Sequence, residues 1–169
     1  MHALVRLAKD AIEEYVRNRH KISLPEDFPA ELREPGAAFI CIKKGKALRG
    51  CIGTISPTRP SLGEEVVENA INACSRDPRF DPVEADELKD LEYTVDVLEK
   101  AEPVASAQEL DPKGYGVIVE KGWRRGLLLP DLEGVNTVEQ QLQIARQKAG
   151  IGPEEADVSI SRFRVSRYK

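Results

Sequence analysis

Twice in this sequence a run suited to a β-strand meets a second one across a lysine–glycine turn, and that pattern limits the fold more than any other feature. Ala37 to Lys43 and Ala47 to Ile55 flank Lys44-Gly45-Lys46. Tyr115 to Glu120 and Trp123 to Leu129 flank Lys121-Gly122, and Pro130 closes the run. Strands joined this tightly pair antiparallel, because a parallel neighbour needs a long crossover. A third run alternates Leu91, Tyr93, Val95 and Val97 with Glu92, Thr94 and Asp96, the period-two pattern of a half-buried strand. In the last, Val158 to Tyr168, the apolar phase slips by one between Ile160 and Phe163, which predicts a bulge.

Helical signals are interspersed with these strands. Leu4, Leu7, Ala8, Ala11, Ile12, Tyr15 and Val16 recur at three- and four-residue steps and predict an amphipathic first helix. Ser61 and Glu64 have capping-box spacing ahead of a stripe of Leu62, Val66, Ala70, Ala73 and Cys74. The spacing recurs at Ser106 and Glu109 before a short turn, and at Thr137 and Gln140 before a helix that Gly150 ends. Pro25, Pro29 and Pro35 mark an irregular connection between the first helix and the first strand. No run of β-α-β units occurs, so the expected class is α+β, with a mostly antiparallel sheet and flanking helices. At 169 residues the chain suits a single domain over 1–169, or two small lobes sharing a core.

Charge and cysteine content narrow the function classes. The net charge of −4 gives no global pull toward nucleic acid or anionic membrane, so neither is an expected partner. Charged residues run through Met1 to Arg19, unlike a signal peptide, and no apolar run is long enough for a membrane span; the cytoplasm is the expected compartment. Cys41, Cys51 and Cys74 form no C-x-x-C pair, which predicts no disulfide framework and suits a reducing compartment. His2 and His20 lie far in sequence from them, so no metal site is expected. Neither G-x-G-x-x-G nor a phosphate loop is present, and no cofactor is expected.

The segment with chemical potential is Leu48 to Thr54. In a regular strand Arg49, Cys51 and Gly53 share one face. Gly50 and Gly53 are costly inside a strand, and predict a bulge or a place where a ligand or another backbone comes close. Three readings fit. Cys51 is a nucleophile favoured by the Arg49 cation; or Arg49 holds a carboxylate or phosphate, with open space beside Gly53; or Cys51 is a small buried hydrophobe, the plainest of the three. Cys41 faces Cys51 only if the hairpin loop centres on Lys46, and a redox pair is not expected.

Other candidates have simpler explanations. Asp77-Pro78-Arg79-Phe80 reads as a rigid turn with a packed Phe80, which leaves Arg79 to account for. Trp123 is expected in a core or lobe interface. Arg124 and Arg125 should point to opposite strand faces, and Arg162, Arg164, Arg167 and Lys169 suit the polar side of an edge strand.

Leu48-Arg49-Gly50-Cys51-Ile52-Gly53 resembles the signature hexapeptide of the AMMECR-one domain family. Asn69-Ala70, Asp77-Pro78-Arg79-Phe80, Gly116-Val117-Ile118, Gly126-Leu127-Leu128-Leu129-Pro130 and Lys148-Ala149-Gly150 resemble further family blocks, in the family's order. The nearest likeness is to the prokaryotic branch called AmmeMemoRadiSam system protein A. That resemblance implies two unequal lobes around a cleft with the hexapeptide near it. It also implies a setting beside a Memo-like protein and a radical-SAM enzyme, but brings no settled reaction. The expected site residues are therefore Cys51 as nucleophile or lining group, with Arg49, Gly50, Gly53 and Arg79 binding an anionic small molecule. The alternative is an adaptor that docks one of the two partners.

Overall fold

Two four-stranded sheets, each packed with helix, build the protein, and the class is α+β. The computed structural model describes residues 1–169. By internal contacts the chain divides into Met1–Leu98 with Ser166–Lys169, and Glu99–Val165. No helix is long and apolar enough to cross a membrane.

The first unit holds α1 (Ala3–Asn18), β1 (Ala37–Lys44), β2 (Ala47–Gly53), α2 (Leu62–Ser75), β3 (Leu91–Leu98) and β8 (Val165–Tyr168). Its sheet runs β2-β1-β3-β8, with β1 antiparallel to both neighbours. The predicted stripe of α1 is buried from Leu4 to Val16 except for Tyr15, which is partly exposed. His2 caps the helix by accepting the Leu4 N–H, and Arg19, at φ 56°, ends it. Ser61 caps α2 by accepting the Glu64 N–H, the forward half of the expected capping box. Ile40, Ile42, Val66, Ala70 and Val95 join these residues in one apolar cluster. Full burial of a Leu or Ile side chain contributes roughly 1.5–3 kcal/mol, so this face dominates the unit's stability.

The second unit holds β4 (Glu102–Pro103), β5 (Gly116–Lys121), β6 (Arg124–Leu128), α3 (Val138–Ala149) and β7 (Ser159–Phe163). Its sheet, β4-β7-β5-β6, is antiparallel throughout. Val117, Val119, Leu128, Ala145 and Ile151 form its core. The capping boxes predicted at Ser106/Glu109 and Thr137/Gln140 are both complete, and Gly150 ends α3 in the left-handed region at φ 70°.

Three local expectations are corrected. The first hairpin's second strand stops at Gly53 rather than Ile55, because Thr54 turns its hydroxyl to Glu65 on α2. The second hairpin turns on Gly122-Trp123, with Lys121 opposite Arg124, one residue beyond the Lys121-Gly122 reading. The run from Val158 to Tyr168 is not one bulged strand. It breaks at Arg164 into β7 and β8, which belong to different sheets. The slip lies within β7, whose register is regular: Ile160 packs on the second unit's core, and Phe163, three residues on, is buried against Gly116 from the other face.

Candidate functional site

The hexapeptide lies on β2, at the edge of the first sheet. A two-residue Gly45-Lys46 turn pairs Lys44 with Ala47 and Lys43 with Leu48. Continued regularly, that register would set Cys41 against Gly50. Instead Ile42 faces Gly50, so Arg49 is an extra, unpaired residue: the bulge the glycines foretold. Beyond it the register is displaced by one, and Cys51 stands opposite Cys41.

Cys41 and Cys51 are joined as a disulfide, with Cα atoms 4.2 Å apart. This overturns the expectation of three separate thiols and no redox pair. The spacing of a non-hydrogen-bonded pair, about 4.5 Å between Cα atoms, brings opposed side chains close enough to bond. Cys74, the remaining free cysteine, is buried in the core, and desolvation pushes its thiol up to about 11.

Both glycines are explained by close approach. A Cβ on Gly50 would overlap the carbonyl oxygen of Ala73, so Gly50 seats β2 against α2. A Cβ on Gly53 would overlap the Phe39 ring across the hairpin. The space expected beside Gly53 is therefore filled by Phe39.

Arg49 is committed to the protein itself. Its Nε and Nη2 donate to the two carboxylate oxygens of Glu87 at 3.0 and 2.9 Å, and Nη1 donates to the Asp81 carbonyl at 2.8 Å. Only 16% of either side chain in the pair is exposed, so water competes weakly for this fork. The Arg49 hydrogen bonds hold the Glu87 carboxyl down to about 2.

Asp77 and Arg79 grip the backbone of Cys51. The Cys51 N–H donates to Asp77 Oδ2 at 2.9 Å, and Arg79 Nη2 donates to the Cys51 carbonyl at 3.2 Å. Arg79 also donates from Nε to Asp77 Oδ1 at 3.0 Å and from Nη2 to Oδ2 at 2.8 Å. At the open edge of a sheet these two side chains take the place of a neighbouring strand. Asp77 is buried, and its Arg79 hydrogen bonds hold its carboxyl down to about 2. The Arg79 side chain remains 54% exposed, with its guanidinium over the Phe80 ring. Asp77–Phe80 is a turn, closed by the Phe80 N–H on the Asp77 carbonyl, but Phe80 is half-buried and joins neither apolar cluster. Arg79, the residue left over, reaches the hexapeptide.

Four carboxylates to which sequence reasoning gave no bonding role prove central. Besides Asp77 and Glu87, buried Glu65 accepts from the hydroxyls of Thr54 and Thr58 and the backbone N–H groups of Thr58 and Arg59. Buried Asp96, opposite Phe39 on β3, takes both Nε and Nη2 of Arg167 at 2.7 Å. For Glu65 a readable signal existed: with Asn69 it forms an i, i+4 polar pair beside Val66 and Ala70. For Glu87 and Asp96 only the tertiary pairing reveals the role.

Trp123 is 92% exposed at the tip of the second hairpin, contrary to the expectation of core or interface packing, because the turn falls on it. The arginines of the second hairpin and of the last strands are locally paired. Arg124 holds Glu155, Arg125 holds Glu120, Arg162 holds Glu102, and Arg164 donates to the Tyr115 hydroxyl. A groove of about 460 Å³ in the first unit is lined by Lys21, Leu24, Arg33, Arg59, Pro60 and Val67, and by no residue of the hexapeptide.

The sequence profile of the AMMECR1 family matches residues 5–168. A Thermotoga maritima protein is 55% identical over 99% of this chain and 98% of its own length. A Clostridium acetobutylicum protein is 47% identical over 98% of this chain, a match that takes up 35% of that protein. The crystal structure of uncharacterized protein PH0010 from Pyrococcus horikoshii is similar at a TM-score of 0.91 and 34% identity, covering 97% of this chain and 88% of that one.

Proposed function

The chain belongs to the AMMECR1 family, and on that premise we propose that it binds, or acts on, an anionic small molecule at the Cys51 segment. The pathway we assign it to also employs a Memo-like protein and a radical-SAM enzyme. The observation that carries the reading is the convergence of two separate sequence blocks on one residue: Asp77 and Arg79 hold the N–H and the carbonyl of Cys51. Arg79 is the anion-facing group: Asp77 takes its Nε and Nη2, but more than half of its side chain meets solvent, whereas Arg49 is largely covered in its fork with Glu87. Arg49, Gly50 and Gly53 support the site by positioning β2.

Thermal unfolding in the presence of inorganic phosphate, a nucleoside monophosphate and citrate tests this. At least one should raise the Tm of the native chain by several degrees at saturation, and Arg79→Ala should abolish that rise. No shift with any probe, or a shift kept by the variant, removes the reading.

One observation favours the adaptor alternative: a tryptophan as exposed as Trp123 is a ready anchor for a partner, since large aromatics dominate binding energy when covered. The relative that carries this domain as 35% of a longer chain also supports work alongside other domains. Co-purification of a Memo-like or radical-SAM protein by the native chain, lost in Trp123→Ala, is the expected result; recovery of neither counts against it. The net charge of −4 gives a nucleic-acid role no general electrostatic pull, so this reading does not invoke one.

A further inference from the structure

The bond between Cys41 and Cys51 is poorly placed to serve stability. It joins cysteines ten positions apart, across a loop that the hairpin ladder already closes. A cross-link stabilises mainly by restricting the unfolded chain, and does so more as the loop lengthens. Its position instead suits chemistry. Ile40 and Ile42 point into the helix-packed core, so Cys41 between them points to the opposite sheet face. Both bonded cysteines are partly exposed, whereas Cys74 is sealed in the core.

The surroundings keep the strand in place when the bond opens. Asp77 and Arg79 hold Cys51 by its backbone, and Gly50 is seated on Ala73, so neither hold depends on the sulfur.

We propose that Cys41–Cys51 is a thiol–disulfide exchange site whose substrate is a dithiol. The thiolate of the incoming dithiol attacks Sγ of Cys51, forming a mixed disulfide and expelling Cys41 as thiolate. The second thiol of the same molecule then attacks the mixed disulfide at its own sulfur, closes its own disulfide and releases Cys51. The dithiol gives up two electrons and two protons, and Cys41 and Cys51 take them up as two thiols. The reverse reaction restores the bond at the expense of a disulfide. The inference rests on placing the working site at the Cys51 segment, but it needs no anionic ligand. Anion binding and exchange are read by different measurements, so either fails on its own.

The test equilibrates the native full-length chain in a series of reduced-to-oxidised dithiothreitol ratios, followed by alkylation with iodoacetamide and peptide mass spectrometry. Cys41 and Cys51 should become alkylated in step as the ratio rises, with circular dichroism unchanged. Cys74 should react at least about a hundredfold more slowly at neutral pH, given its raised pKa. With glutathione disulfide, Cys41→Ser should accumulate a mixed disulfide at Cys51, since the resolving thiol is gone. Three outcomes overturn the proposal. The first is a pair that stays blocked until denaturant is added. The second is two free thiols even in the most oxidising mixture. The third is loss of the native circular dichroism on opening, which would make the bond structural.

Discussion

The hairpin β1–β2 of the first unit and the hairpin β5–β6 of the second are built on one plan. Each turns on a glycine at φ 61°, Gly45 in one and Gly122 in the other. In each, a glycine on the second strand seats a helix carbonyl: Gly50 takes Ala73, and Gly126 takes Ala145. Those two glycines even hold the same rank in the ladder, Gly50 opposite Ile42 and Gly126 opposite Val119, two residues before Lys44 and Lys121. The difference is one residue. Arg49 has no counterpart in the second hairpin, whose register is regular. One rung beyond the seated glycine, the second hairpin sets buried Ile118 against Leu127, while the first sets Cys41 against Cys51. A common frame thus serves as plain packing in one unit. In the other, a single bulge supplies an arginine for Glu87 and brings two sulfurs together.

The most damaging way to break the parallel is at the seats. Gly50→Val and Gly126→Val each drive side-chain atoms into a helix backbone, and should cost about 3–5 kcal/mol in urea unfolding. A loss below 1 kcal/mol at either would mean that its helix is free to retreat.

Acid should weaken the holds on the first hairpin next. The Asp77 and Glu87 carboxyls are held down to about 2, against ordinary values of about 3.9 and 4.3. Their stabilisation is therefore complete above about pH 4.5 and drains away as the pH falls toward 2, roughly 3–5 kcal/mol in all. Asp77→Asn with Glu87→Gln should flatten that part of the stability profile, and an unchanged slope would show that other carboxylates carry it.

A double-mutant cycle on Arg49→Ala and Glu87→Ala measures what the bulge contributes. A coupling of about 1–3 kcal/mol is expected for a forked pair this shielded, and additive single losses would reduce Arg49 to a surface residue. The smallest effect belongs to the hairpin tip. Trp123→Ala should change stability by less than about 0.5 kcal/mol, so a larger loss would show that the indole packs against something in solution.

Much of this was legible in the residues. Alternation and lysine–glycine turns specified antiparallel hairpins, because period-two burial and a short loop leave no other pairing. Capping boxes marked where helices start, since they are local hydrogen-bond patterns. Two glycines in Leu48–Gly53 announced a bulge and a close approach, and both are present. Arg79 was the residue its own turn did not explain, and it proved to belong to Cys51.

Tertiary structure decided the rest, for a consistent reason. Which rung faces which depends on adding up turn and bulge residues, and one residue separates a Cys41–Gly50 pair from a Cys41–Cys51 bond. Which cation is available depends on distant carboxylates: Arg49 and Glu87 lie 38 positions apart in sequence, and Arg167 and Asp96 71. Which sheet a strand joins depends on what its partners leave open, so the single strand read over Val158–Tyr168 divides between two sheets. Local chemistry is written residue by residue. Register, charge pairing and sheet membership arise only when separate segments compete for the same partners.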